Sequence, residues 1–199
     1  LLQAAAPLVV YSEFGETADT LWAASPDDPS DRTQLGQIEH ARGFAISPSL
    51  SPDGERIAYT VVSPTGGQAA ELWLLEIETG ETRRLAQGVD LLSTPLWSAK
   101  ADAVVVRRSK GREDSPGSAQ LLRFDLSGGT TALVSAAAGL YPIDFSPDGA
   151  WLYYATLSAP GTALARVATQ GGGEPETLAH LSDGIARDWS LAPDGTRLA

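Results

Sequence analysis

The chain contains no cysteine. Disulfides, thiolate nucleophiles and cysteine-ligated metal sites are therefore excluded, while the redox compartment stays open because export does not require disulfides. Basic residues are few: 14 Lys and Arg stand against 25 Asp and Glu, a formal net charge of −11. A surface of that sign repels a phosphate backbone, so nucleic acid is not an expected partner. No apolar run approaches the roughly 18 residues that a membrane-spanning helix requires, and this segment is not expected to insert into a membrane. Helical periodicity is missing too. No window of about a dozen residues keeps apolar positions at i, i+3, i+4 and i+7, and 20 Gly and 13 Pro punctuate the chain too often for long helices. The G-x-S-x-G string of a strained nucleophile elbow does not occur either.

What is present is a repeat. The 199 residues suffice for one domain with a sizeable core, and a turn motif recurs along them. Its copies are "LSPDGERIAYT" from Leu50, "WSAKADAVVVR" from Trp97, "FSPDGAWLYYA" from Phe145 and "LAPDGTRLA" from Leu191. Ser51, Ser98, Ser146 and Ala192 occupy the same place in each, at intervals of 47, 48 and 46 residues. A period of that length matches one four-stranded propeller blade. Within each interval lies a second strand ending in a Gly-rich turn, as in "ELWLLEIETGETRRL" from Glu71 and "QLLRFDLSGGTTALV" from Gln120.

The turn chemistry explains the motif. In Ser-Pro-Asp-Gly the proline presets φ, the aspartate accepts nearby backbone amides, and glycine tolerates positive φ, so two antiparallel strands reverse tightly. The copy at Ser98 to Ala103 has lost both Pro and Gly yet keeps its flanking strands, as a structural device tolerant of exceptions would. The strands after the turns, "RIAYTVV", "AVVVRR" and "WLYYAT", are nearly continuous apolar runs. Burial on both faces follows, as in sheets stacked about an axis. The expected fold is all-β, a propeller of four-stranded antiparallel blades. The expected division is a partial blade over 1–40, blades over 43–88, 90–136 and 139–180, and the start of another over 183–199. "LLQAAAPLVV" at the start reads as a strand in preference to the tail of an export signal.

These repeats, "SPDGERIAYT", "SPDGAWLYYAT" and "APDGTRLA" with their following glycine hairpins, resemble those of TolB-like β-propellers, relatives of WD-repeat propellers. The same repeat occurs in the propeller of prolyl-oligopeptidase-type serine peptidases. Propellers of this kind close with six to eight blades. About four repeats are present, which implies an arc of a larger propeller and a piece of a longer protein. Four-blade closure is the competing geometry, and an arc with open sheet edges is expected to associate on expression.

Candidate chemistry is sparse. The short glycine turns are expected on one rim and the longer connections, "EFGETAD", "SPTGGQ", "SKGREDSPGS", "SAPG", "EHARG" and "HLSDGIARD", on the other. Polar loops on a rigid scaffold are where binding resides. Arg187, Asp188 and Trp189, and Arg112 within the basic cluster "RRSKGRED", are the expected contact residues. His40 and His180 read as solvated loop histidines, because acid–base work needs a positioned partner. "DDPSD" at Asp27 reads as a solvated loop and not a calcium site, since an ordered series with a bidentate Glu is missing. "GGG" at Gly171 reads as a turn, and the five tryptophans as packing between blades.

No catalytic residue, metal or cofactor is expected, and a protein partner is. The resemblance implies a non-catalytic interaction scaffold of the bacterial envelope, periplasmic or extracellular. The alternative it implies is a substrate-gating propeller whose peptidase domain lies outside this chain. A glycan- or small-ligand-binding propeller is a third, weaker idea.

Overall fold

The computed structural model describes residues 9–65, 69–91, 93–109, 119–136, 139–158, 161–183, 189–192 and 194–198. Among them there is no helix, and the strands form four antiparallel meanders divided between two compact units, Leu1–Pro95 and Leu96–Ala199. The first unit holds a three-stranded sheet, β1 (Val9–Glu13), β2 (Ala18–Ala24) and β3 (Arg32–Glu39). Its second sheet runs β4 (Ser47–Leu50), β5 (Arg56–Val62), β6 (Ala70–Glu76) and β7 (Thr82–Val89). In the second unit one sheet runs β8 (Leu96–Trp97), β9 (Ala103–Ser109), β10 (Ala119–Asp125) and β11 (Thr130–Ala136). The other comprises β12 (Gly139–Phe145), β13 (Trp151–Ser158), β14 (Gly161–Ala168) and β15 (Glu176–Ser182). A bridge between Leu191 and Leu198 follows the last sheet.

Burial follows strand position, as the apolar runs require. Six of the seven residues of β5 are buried, whereas β3 and β7, fourth in the blade pattern, are largely exposed. Sheets pack face to face within each unit. Leu21 of the first sheet meets Ile57, Tyr59 and Leu75 of the second. In the second unit Val105, Leu121 and Leu133 meet Leu140, Leu152, Tyr154 and Val167. Strands with neighbours above and below have no wet face to mark with polar residues, and this produces the continuous runs of the sequence.

The turn motif does what its residue types suggest. Ser51 Oγ accepts the Arg56 N–H at 2.9 Å and donates to Asp53, whose carboxylate accepts the Glu55 N–H at 3.1 Å. Gly54, at φ +74°, returns its N–H to the Ser51 carbonyl at 2.9 Å. Ser146, Asp148 and Gly149 repeat the arrangement. In the degenerate copy Ala101 takes the glycine's place at φ +55° and its N–H bonds the Ser98 carbonyl, while Asp102 receives the Ser98 hydroxyl at 2.6 Å. A non-glycine residue in that region costs about 1–2 kcal/mol, and the surrounding strands hold it there. The two turns of a blade touch: Ile77 N–H bonds Glu55 O, Leu126 N–H bonds Asp102 O and Thr169 N–H bonds Ala150 O.

These turns make the fold acid-sensitive. Hydrogen bonds from the Ser146 hydroxyl and the Ala150 N–H hold the Asp148 carboxyl below its ordinary value of 3.8. Burial pushes Asp53 upward, but bonds from Ser51, Glu55 and Arg56 overcome it and the net direction is again down. A carboxyl lowered by folding stabilises the folded chain above its unfolded pKa and loses that contribution as pH falls through the folded value. Stability is therefore expected to decline below about pH 4, near the unfolded aspartate value. Carboxyl-carbon NMR titration checks this: in Ser146→Ala, Asp148 is expected to titrate closer to its ordinary value, and an unmoved titration would show that the serine does not hold it.

Candidate functional site

Connection length does not divide as expected, since β2–β3 (25–31) and β14–β15 (169–175) on the turn side are longer than β1–β2 (14–17) and β13–β14 (159–160) opposite; in the first unit one buried carboxylate organises the side opposite the turns. Asp19 is fully buried near the start of β2. The corresponding places in three other strands hold Ala70, Ala119 and Thr162, all small and all buried. Asp19 Oδ1 accepts the Gly15 N–H at 3.0 Å and lies 3.1 Å from His40 Nε2, and Oδ2 accepts the Ile46 N–H at 3.0 Å. One side chain thus ties the β1–β2 loop to both ends of the segment between β3 and β4.

His40 is buried to 1% exposure, which corrects the expectation of a solvated loop histidine. Its Nδ1 faces the Ala41 carbonyl at 3.0 Å. Both ring nitrogens therefore meet oxygen acceptors, and both bonds form together only if each nitrogen carries a proton or the Asp19 carboxyl carries one. Strand pairing brings Asp19 opposite Ile38, so the two groups meet across a hairpin although 21 residues separate them. His180 is half exposed as expected but lies within β15 and not in a loop, with Asp183 3.3 Å away.

Backbone bonds complete the rim. His40 N–H bonds Thr17 O, Ala41 N–H bonds Val62 O and Gly43 N–H bonds Glu16 O. Gly15 has no room for a side chain, because a Cβ there would sit 2.1 Å from the Ala18 carbonyl oxygen. Beside this framework opens a cleft of about 640 Å3 lined by Thr17, Gln37, Glu39, His40, Arg42 and Pro64, with Ala18 and Ala41 between them. Phe14, 63% exposed, stacks on the His40 ring with centroids 6.2 Å apart, and Phe44, 39% exposed, follows the cleft-lining Ala41–Arg42 pair. Arg42 pairs with Glu16, and Arg32 with Glu13.

Of the contact residues expected from sequence, Arg112, Arg187 and Asp188 lie outside the described residues. Trp189 is partly buried just before the Leu191–Leu198 bridge. Trp22 and Trp151 carry the guanidinium groups of Arg32 and Arg166 over their rings, at 4.0 and 4.2 Å. Asp28 accepts the backbone and hydroxyl of Ser30, which hold its carboxyl below the ordinary range. No group of three or more metal-ligating side chains converges among the described residues. Burial, assisted by the Glu71 charge, pushes the Tyr59 hydroxyl up to about 12, and burial raises Asp144. Tyr59 belongs to the apolar core of its unit.

No family model matches the chain. It is 34% identical over 76 residues to the uncharacterized peptidase YuxL of Bacillus subtilis strain 168, a match covering 38% of this chain and 11% of that protein. To the TolB homolog of Chlorobium chlorochromatii strain CaD3 it is 29% identical over 120 residues, covering 60% of this chain and 25% of that protein. The crystal structure of TolB from Acinetobacter baumannii superposes with a TM-score of 0.70 at 17% identity, over 96% of this chain and 45% of that one. The matches thus span about a tenth and a quarter of the two curated relatives.

Proposed function

We propose that this chain, a β-propeller built from TolB-like repeats, is a non-catalytic scaffold that binds another protein in the bacterial cell envelope. The observation that carries the reading is the rim of the first unit. There a buried carboxylate ties the β1–β2 loop to the β3–β4 segment beside a cleft, and two exposed phenylalanines touch residues that line it, Phe14 through its stack on His40 and Phe44 through its N–H bond to the Ala41 carbonyl. Rigidly supported loops with exposed aromatic side chains are the usual makings of a protein contact surface. The extended match to a TolB homolog supports the same reading.

The match to a peptidase of Bacillus subtilis favours a second reading, in which the blades admit peptides to a hydrolase domain elsewhere in the protein. A serine-directed fluorophosphonate probe applied to the full-length protein separates the two. The scaffold reading expects no labelling, no hydrolysis of a peptide substrate, and recovery from the envelope fraction; labelling with hydrolysis would establish the gating role instead.

A further inference from the structure

Resting on the scaffold reading, we infer that the rim cleft of the first unit takes an extended peptide segment carrying a Lys or Arg beside an apolar side chain. The apolar part of the argument is position. Only four large hydrophobic side chains are exposed among the described residues, and two of them contact cleft-lining residues, Phe14 by its stack on His40 and Phe44 by its N–H bond to Ala41 O. Phe14 has one fixed neighbour, the His40 ring held at both nitrogens, with centroids 6.2 Å apart. A neighbour of that kind limits the conformational freedom an aromatic side chain loses on binding, which favours affinity.

The charge part is an inventory of the rim. Glu13 pairs with Arg32 and Glu16 with Arg42. Glu39 lines the cleft with no ion pair among the described residues, in a chain of formal charge −11. Around the cleft the three carboxylates Glu13, Glu16 and Glu39 outnumber the two guanidinium groups of Arg32 and Arg42, which favours a basic group over an acidic one. The Thr17 hydroxyl and the Gln37 amide supply both donors and acceptors, which suits a peptide backbone.

The test is a display library of random peptides about ten residues long, panned against the full-length protein, with affinities then measured for synthetic copies. Enriched peptides are expected to pair Lys or Arg with Leu, Ile or Phe. Phe14→Ala should weaken them about tenfold, and Glu39→Gln about threefold to fivefold while flattening the salt dependence. Glu55→Gln, on the opposite rim, should change neither. No enrichment, enrichment without basic residues, or peptides indifferent to both cleft substitutions would overturn the inference. The scaffold reading survives those outcomes, since a partner can bind elsewhere; it fails separately, through serine-probe labelling with hydrolysis.

Discussion

Asp19→Ala is expected to destabilise the protein by about 2–5 kcal/mol, because it removes the one acceptor that several donors share. The cost has identifiable parts. The Gly15 and Ile46 N–H groups lose their acceptor, and His40, 1% exposed, loses the carboxylate at its Nε2. An unsatisfied buried donor costs about 1–3 kcal/mol; the buried Ile46 N–H and the partly buried Gly15 N–H together account for most of the range. Asp19→Asn keeps the shape and one acceptor oxygen but points an amide N–H at another donor, and is expected to cost less than alanine. Urea unfolding measures the total. Hydrogen exchange places it: amides of Gly15, His40, Ala41 and Ile46 should lose protection first, while those of β13 and β14 keep theirs. A loss below about 1 kcal/mol, or exchange that rises uniformly, would mean that the carboxylate does not organise the rim.

Leu152→Ala is expected to cost about 2–5 kcal/mol, the range for large-to-small replacement in a packed core. Leu152 is fully buried in β13, in one cluster with Leu140, Tyr154 and Val167. Its neighbours sit on paired strands and on the adjacent sheet, so collapse into the space would require two sheets to move together. Leu178, 39% exposed on β15, provides the contrast; Leu178→Ala should change stability by no more than about 0.5 kcal/mol, as surface replacements do. Denaturant midpoints of the two variants decide the matter. Similar midpoints would contradict burial of β13 between sheets.

Much of the architecture was legible because it is written in local chemistry. A tight reversal needs a residue tolerant of positive φ, and Gly54, Gly149 and Gly195 announce it at regular spacing. Continuous apolar strands declare that both faces are covered. Ala101 illustrates the limit: nothing in "SAKADA" marks a left-handed residue, yet neighbouring strands impose that conformation on it. His40 illustrates another. It lies just past β3 whereas His180 lies within β15, and only His40 meets a buried carboxylate, Asp19, at a place where Ala70, Ala119 and Thr162 stand in the other sheets. A polar residue in a place otherwise held by small buried ones was the available signal. Reading it required the strand register, which sequence spacing alone does not supply.

The sequence by itself determined an all-β chain of TolB-like repeats, because turn residues and apolar runs act through neighbours a few positions away. Only the tertiary structure decided which polar groups are buried together. That outcome depends on segments some twenty residues apart meeting within hydrogen-bond reach, where removal from water turns an ordinary aspartate and histidine into the brace of a rim.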